Sequence, residues 1–166
     1  KALAEAGVRV YLVGRRKDRL SASLGDHDGA IFALDLVERG ATDHLFDMVS
    51  AMDKQPDIIV NAAGINPRRH ADDISESDWH YSVDLNLNVP FLVSQKFVPF
   101  MKQNGWGRII NIASLQSTRA FENGISYGTW KGKQHHDISV QNLTEPMWLS
   151  SVRFKYKLVY KSCDLL

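Results

Sequence analysis

Short apolar runs alternate with helical patterns along most of this sequence, and this alternation limits the possible folds more than any other feature. The runs are rich in Val, Ile and Leu, and they cover residues 8–13, 30–34, 56–61 and 108–113. Strands separated by helices usually pair in parallel, because the helix returns the chain to the same end of the sheet. We therefore expect an α/β fold with a doubly wound, mainly parallel sheet and a functional site beyond the carboxyl ends of its strands.

Helical patterns lie between these runs, in residues 1–7, 14–20 and 40–51 and from residue 75 onwards. The longest pattern covers residues 84–104, and its apolar stripe consists of Val89, Leu92, Val93, Phe97 and Phe100. An apolar stripe at this spacing usually faces a hydrophobic core. Pro90 should bend this helix or split it from the helix before, because proline cannot donate to the backbone carbonyl four residues earlier.

The composition is that of an ordinary globular domain and disfavours several classes of partner. The chain has 166 residues, 44% hydrophobic and 23% charged, which suffices for one domain with a sizeable core. The 20 Lys and Arg residues nearly balance 19 Asp and Glu residues, so we expect no nucleic-acid partner. A single cysteine, Cys163, excludes an internal disulfide. With no apolar run of roughly 20 residues and no signal peptide, the sequence predicts a soluble, cytoplasmic protein without a membrane partner.

Three residues near the last apolar run have the chemistry of a proton-transfer site. Ser114 follows residues 108–113 directly, and Tyr127 and Lys131 are four positions apart, which places them on one face of a helix. A free phenol is a poor acid near neutrality because its pKa is about 10, but a nearby ammonium stabilises the phenolate. Ser114 and Tyr127 could both donate to an oxygen that gains negative charge. Taken alone, the spacing of Tyr127 and Lys131 is more typical of a solvated helix contact.

Four motifs occur in order along the chain: Asn61-Ala62-Ala63-Gly64, Asn86, Ser114 at the end of RIINIAS, and Tyr127-Gly128-Thr129-Trp130-Lys131. In this combination the sequence resembles the classical short-chain dehydrogenase/reductase family over residues 1–132. The segments NAAGIN and LQSTRAF look like those of the subgroup that contains gluconate 5-dehydrogenases and 3-oxoacyl-carrier-protein reductases. The resemblance implies a Rossmann-like sheet.

The resemblance also implies an oxidoreductase that transfers a hydride between NADP(H) and a small carbonyl or secondary alcohol substrate. Tyr127 would be the general acid/base, Lys131 would promote its ionisation and bind the cofactor ribose, and Ser114 would be the oxyanion partner. Asn86 would hold a water in a proton relay, although a buried asparagine bonded to a helix carbonyl is the alternative. A full-length protein would be a homodimer or homotetramer.

Cofactor preference depends on the residues that follow the apolar run at 8–13. Gly14 leaves no carboxylate for the ribose hydroxyls of NAD, whereas Arg15 and Arg16 supply planar cationic donors for the 2′-phosphate of NADP. We therefore expect NADP(H) to be preferred, with NAD(H) possible. The alternative is that both arginines belong to a solvated basic loop.

Two more segments are implied to contact the cofactor. Asp35 would meet the adenine amino group and Leu36 would line the adenine pocket, although Asp35 is equally suited to capping the next turn. Residues 61–64 would run beside the nicotinamide ribose, because minimal side chains let the backbone approach a flat ligand. The alternative for this segment is a purely structural turn.

The two ends of the sequence depart from the family pattern. No Gly-x-Gly-x-x-Gly motif occurs, so the resemblance implies that the first strand and its phosphate-binding loop are absent from these residues. We therefore expect these 166 residues alone to bind NADP(H) poorly or not at all and to show no measurable carbonyl reduction. Residues 133–166 have no family match, and within them residues 152–160 alternate like an edge strand. Adjacent His135 and His136 point apart, so we expect no metal site.

These observations predict a partial dinucleotide-binding catalytic domain at residues 1–132 and an unmatched tail at residues 133–166. They also leave a second functional class open. A truncated, catalytically silent chain could act as a binding or interaction module that pairs through the helix at residues 84–104.

Overall fold

The computed structural model describes residues 2–137, with side chains described for residues 2–131. The helices are α1 (Ala2–Glu5), α2 (Lys17–Leu24), α3 (Ala41–Ser50), α4 (Glu76–Val83), α5 (Val89–Gln103) and α6 (Ile125–Asp137). The strands are β1 (Val10–Gly14), β2 (Gly29–Ala33), β3 (Ile58–Asn61) and β4 (Arg108–Asn111). Short 3-10 turns at Ala71–Asp73 and Leu115–Ser117 and a π-helix at Asp84–Asn88 complete the described elements. All four predicted strands are present.

The strands form two parallel pairs. Strand β1 pairs with β2 in a register that begins with Val10 opposite Gly29, and β3 pairs with β4 from Ile58 opposite Arg108. Among the described residues, no backbone ladder joins one pair to the other. The α/β class and the parallel pairing are therefore confirmed, and within residues 2–137 the strands form only part of a doubly wound sheet, as the sequence predicted.

A hydrophobic core connects the two strand pairs. It takes Phe32 from β2, Ile59 from β3 and Ile109 from β4, and its helical members are Leu45, Val49, Val89, Val93, Phe97 and Met101. Burial of one large apolar side chain contributes about 1.5–3 kcal/mol. Because the core includes side chains from both strand pairs, helix packing holds them together where backbone hydrogen bonds do not.

The buried face of α5 differs slightly from the predicted apolar stripe. Its buried apolar residues include Val89, Val93, Phe97 and Met101, which are spaced four residues apart. Phe100 packs against the core as predicted, but Leu92 is 37% exposed. A four-residue step turns the helix by only about 40° beyond a full turn, so the buried face moves slowly around α5 and leaves Leu92 on its flank.

Pro90 marks the start of α5. It lies in the first turn of that helix, where no helical hydrogen bond requires its missing N–H group. The residues before it, Asp84–Asn88, form a π-helix rather than a continuation of α4. The hydrogen-bonding pattern changes from π to α at Asn88, but the backbone stays in the right-handed helical region at Asn88 and Val89. The predicted split at Pro90 is therefore not seen.

Helix α6 begins two residues before Tyr127 and continues to Asp137. The rings of Trp79 on α4 and Trp130 on α6 pack edge to face with their centres 5.3 Å apart. The predicted domain boundary at residue 132 therefore falls inside a continuous helix. The predicted edge strand at 152–160 lies outside the described residues, as do the side chains of His135 and His136. No described helix is long and apolar enough to cross a membrane.

Candidate active site

Tyr127 and Lys131 lie one turn apart on α6, as their spacing predicted. The Nζ atom of Lys131 is 5.7 Å from the centre of the Tyr127 ring. Only 3% of Lys131 is exposed, whereas the ammonium of a solvated helix pair would remain in water. The solvated-contact alternative therefore does not describe this pair.

A second contact fixes the Lys131 ammonium. Its Nζ atom donates a hydrogen bond to the carbonyl oxygen of Ile112 at 2.8 Å. Burial lowers the pKa of Lys131 from 10.5 to about 8, because the charged form loses its hydration. Most molecules still carry this charge at pH 7, so a fixed cation is available to stabilise negative charge that develops nearby.

Ser114 lies beyond the end of β4 and begins the 3-10 turn at Leu115–Ser117. Its Oγ atom accepts a hydrogen bond from the backbone N–H of Gln116 at 3.2 Å, which leaves the hydroxyl proton able to donate elsewhere. The Oγ atom of Ser117 donates to the carbonyl oxygen of Lys131 at 2.8 Å. This bond attaches the segment that carries Ser114 to the helix that carries Tyr127 and Lys131.

Asn86 is completely buried in the π-helix. Its Nδ2 atom donates to the carbonyl oxygens of Ile65 and Ser82, each at 2.9 Å, and its Oδ1 atom accepts from the N–H of Ile65 at 3.2 Å. The bond to Ser82 is the helix-carbonyl contact that the sequence left open as an alternative. Asn86 therefore has at least a structural role, because it fixes the chain after β3.

Gly64 brings three of the predicted motifs together. A Cβ atom added there would lie 2.7 Å from Oδ1 of Asn86 and 3.9 Å from Nζ of Lys131. Only glycine permits such a close approach without movement of its neighbours. Ala62 and Ala63, just before it, are exposed, so this segment presents minimal side chains beside the Lys131 ammonium.

Asn61 has a structural role, in hydrogen bonds between elements, that its sequence motif did not predict. Its Nδ2 atom donates to Oδ1 of Asn111 on the neighbouring strand at 2.8 Å and to Oγ of Ser94 at 3.3 Å. Asn61 is buried and connects β3, β4 and α5. Asn111 could have been found from its place at the end of a strand predicted to lie beside β3, but no local pattern indicated Ser94.

The residues predicted to bind the adenine end of the cofactor lie after β1 and β2. Arg15 Nη1 lies 3.7 Å from Oδ2 of Asp35, and Oδ1 of Asp35 accepts from the N–H of Val37 at 3.1 Å. The turn cap that the sequence left open for Asp35 is thus present. Leu36 packs against the core, and exposed Arg16 precedes α2.

Tyr81 on α4 completes this group, and sequence reasoning missed it. Its hydroxyl donates to Oδ2 of Asp35 at 3.3 Å, and the Arg15 guanidinium lies 6.0 Å from the centre of its ring. Burial, together with the charge of Asp35, raises the pKa of Tyr81. Tyr81 therefore remains a hydrogen-bond donor at neutral pH.

Comparison with known protein families gives one extended match. The model of the family described as short chain dehydrogenase matches residues 1–139. A 2-dehydro-3-deoxy-D-gluconate 5-dehydrogenase of Bacillus subtilis is 32% identical over 154 residues, which cover 91% of this chain and 59% of the relative. A gluconate 5-dehydrogenase of Gluconobacter oxydans is 33% identical over 152 residues, covering 89% of this chain and 57% of the relative.

Solved structures give a matching result. A gluconate 5-dehydrogenase from Burkholderia cenocepacia in complex with NADP and tartrate has a TM-score of 0.70 and 30% identity over 78% of this chain and 53% of its own. A metagenomic short-chain oxidoreductase in complex with NADP has a TM-score of 0.76 and 26% identity, covering 82% of this chain and 64% of its own. The chain thus spans little more than half the length of these relatives.

Proposed function

Because this chain belongs to the short-chain dehydrogenase family of oxidoreductases, we propose that it provides the catalytic residues of an enzyme that transfers a hydride between NADP(H) and a carbonyl or secondary alcohol. The observation that carries the proposal is the buried Lys131 ammonium, 5.7 Å from the centre of the Tyr127 ring on the same helix. Burial of this cation costs free energy because the ammonium loses its hydration. We assign the buried charge to stabilisation of the phenolate that forms when Tyr127 transfers its proton.

Each residue has a distinct role in the proposed reaction. In the reducing direction, the Tyr127 hydroxyl gives its proton to the carbonyl oxygen of the substrate, and the Ser114 hydroxyl donates a hydrogen bond to the same oxygen. The Lys131 ammonium stabilises the phenolate that remains. Asn86 holds the chain at Ile65 beside Lys131, where a relay water could return the proton from solvent. Bound NADPH supplies the hydride.

The described residues fit NADP(H) at two places. Near Lys131, Gly64 and the exposed Ala62 and Ala63 carry minimal side chains, which lets a flat group approach their backbone. After β1, Arg15 and Arg16 are exposed and can donate to a phosphate. The NADP complexes of the related Burkholderia and metagenomic structures support the same preference, and NAD(H) remains a possible second cofactor.

The substrate that we propose is a small polyhydroxylated carbonyl compound, including sugar acids. This proposal comes from the relatives, which include a gluconate 5-dehydrogenase and a D-threitol dehydrogenase. We further propose that the complete protein product, meaning the full-length protein that contains this chain, is a cytoplasmic homodimer or homotetramer.

An interaction module is the alternative, and one observation favours it. Phe91 on α5 is 56% exposed, and Leu92 beside it lies outside the core. Both side chains could pack against a partner helix. A chain with this role would associate through α5 without turning over any substrate.

Activity of the complete protein product distinguishes the two functions. Consumption of NADPH should be followed with a panel of polyhydroxylated keto acids and uncharged ketones, and NADP reduction with the corresponding alcohols. Turnover with at least one class is expected. The interaction module would replace the enzyme proposal if two results were found together. The protein would bind no coenzyme and turn over no substrate, and a Phe91→Asp variant would lose the self-association of the parent.

A further inference from the structure

Three side chains from three different elements meet at the adenine end of the proposed cofactor site. Arg15 follows β1, Asp35 follows β2, and Tyr81 comes from α4. The Tyr81 hydroxyl donates to Oδ2 of Asp35 at 3.3 Å, the oxygen that also lies 3.7 Å from Nη1 of Arg15. Tyr81 is therefore the link between α4 and the two charged residues.

The two oxygens of Asp35 have separate partners. Oδ1 accepts from the N–H of Val37 within its own turn, and Oδ2 accepts from Tyr81. Two donors on different elements fix the plane of the carboxylate. Because the phenol is neutral, Tyr81 orients Asp35 without cancelling its negative charge.

Arg15 is held more loosely than Asp35. Its side chain is 63% exposed, against 20% for Asp35, and an exposed ion pair contributes little to stability. The ring of Tyr81, 6.0 Å from the guanidinium carbon, keeps Arg15 near the end of β1. Arg15 can thus leave Asp35 for a phosphate and still remain over the ring.

We infer that Tyr81 is a positioning residue for coenzyme binding, whose hydroxyl orients Asp35 toward the adenine and whose ring supports Arg15 beside the 2′-phosphate. This inference rests on the proposed function. The two parts of the side chain then have separable effects. The hydroxyl should contribute equally to the affinity for NADP(H) and for NAD(H), because both contain the adenine. The ring should contribute only to the affinity for NADP(H), which carries the extra phosphate.

Two substitutions in the complete protein product separate these effects. Dissociation constants for NADPH and NADH would be measured by nicotinamide fluorescence. Tyr81→Phe should weaken the binding of both coenzymes by a similar factor, about tenfold or more, the size of one hydrogen bond to a carboxylate. Tyr81→Leu should raise the dissociation constant of NADPH by a further factor of about three, the size of an exposed cation–π contact. It should not raise the dissociation constant of NADH any further. In steady-state kinetics, the effect of Tyr81→Phe should fall mainly on the KM for NADPH and much less on kcat.

Tyr11→Phe is the matched control, because the Tyr11 hydroxyl donates to the carbonyl oxygen of Lys54 at 2.9 Å and not to the proposed site. It should leave both dissociation constants unchanged. A combined Asp35→Asn and Tyr81→Phe variant should bind both coenzymes no more weakly than Asp35→Asn alone, since Tyr81 acts through Asp35.

The outcomes are distinguishable. Two results would overturn this inference and leave the proposed function standing. One is unchanged coenzyme affinities in Tyr81→Phe, and the other is a Tyr81→Phe effect on those affinities that persists fully in the Asp35→Asn background. A parent protein that binds neither coenzyme would overturn the proposed function and this inference with it. If Tyr81→Phe fails to fold, equal weakening of NADPH and NADH binding in Asp35→Asn supports the inference, and weakening of NADPH binding alone overturns it.

Discussion

Lys131 donates a hydrogen bond to the carbonyl oxygen of Ile112 at 2.8 Å, and this contact joins α6 to the chain just after β4. The bond holds a buried ammonium at the end of the strand pair, one helical turn after Tyr127. A buried charge lowers stability unless its surroundings compensate for the lost hydration. Two of the predictions below follow from this placement, one for chemistry and one for stability.

Replacement of Tyr127 tests the proton-transfer role. Tyr127→Phe removes the hydroxyl with little change in shape, so the turnover number of the complete protein product should fall by about 10²–10⁴-fold while its melting temperature changes little. Steady-state kinetics with saturating NADPH would measure this. Tyr11→Phe, which loses a hydroxyl elsewhere, should keep the parental turnover number. A Tyr127→Phe enzyme within a few-fold of the parent would remove Tyr127 from the mechanism.

The lowered pKa of Lys131 predicts a pH-dependent stability. The pKa is about 8 in the folded protein and 10.5 for a free lysine. Between these values the unfolded chain binds more protons than the folded chain, so the free energy of unfolding rises with pH across this window. This gain in the free energy of unfolding amounts to about 3 kcal/mol. It is fully present above the unfolded pKa and is lost as the pH falls through 8.

Chemical denaturation at pH 7 and pH 10 would measure this contribution as the difference between the parent and Lys131→Met. The variant should be the more stable protein at pH 7, because it lacks the buried charge, and the difference should shrink at pH 10. Lys102→Met changes an exposed lysine on α5. Its free energy of unfolding should match that of the parent at both pH 7 and pH 10. Parallel curves for the parent and Lys131→Met would show that the burial of Lys131 has no net electrostatic cost.

Local sequence patterns predicted the parts of the site that lie on one element. The spacing of Tyr127 and Lys131 placed both on one face of a helix, and the apolar run before Ser114 placed that residue after a strand. The helical patterns at residues 40–51 and from residue 75 onwards begin within one residue of α3 and α4. These features depend on neighbours a few positions apart, which is the range over which helical and strand periodicity acts.

Contacts between distant segments were not predictable in this way. Tyr81 and Asp35 are separated by 46 positions, and Asn61 and Asn111 by 50, so no periodicity relates the members of either pair. Their proximity follows from how the elements pack. The exposed position of Leu92 likewise depends on which face of α5 packs against the core, which one apolar stripe does not determine.

Coenzyme choice should change when the cations after β1 are removed. Arg15→Gln with Arg16→Gln should lower the preference for NADP over NAD by about tenfold or more, because each charge-assisted contact to a phosphate contributes roughly 1.5–3 kcal/mol. The ratio of kcat/KM values for the two coenzymes measures this preference. Arg19→Gln removes an exposed charge from α2, where Arg19 lies 4.0 Å from Asp18, and should leave the ratio unchanged. A parent that already prefers NAD would make the assignment of Arg15 and Arg16 wrong.

Gly64→Ala tests whether the close approach beside Asn86 is required. The added methyl group would lie 2.7 Å from Oδ1 of Asn86, and that side chain cannot move easily because it is fully buried and bonded to Ile65. The substitution should lower the free energy of unfolding by about 1–3 kcal/mol and reduce turnover by displacing the chain beside Lys131. Thermal melting and steady-state kinetics would measure the two effects.

Gly128→Ala is the control for Gly64→Ala. Gly128 lies inside α6, and the nearest atom to an added Cβ there is 3.6 Å away, an ordinary contact. Alanine should stabilise this helix position by about 0.5–1 kcal/mol, because glycine loses more conformational entropy on folding. Opposite signs for the two glycine substitutions are therefore expected. If Gly64→Ala is as stable as the parent and equally active, the contact between residue 64 and Asn86 relaxes without cost, and the close approach is not needed for the site.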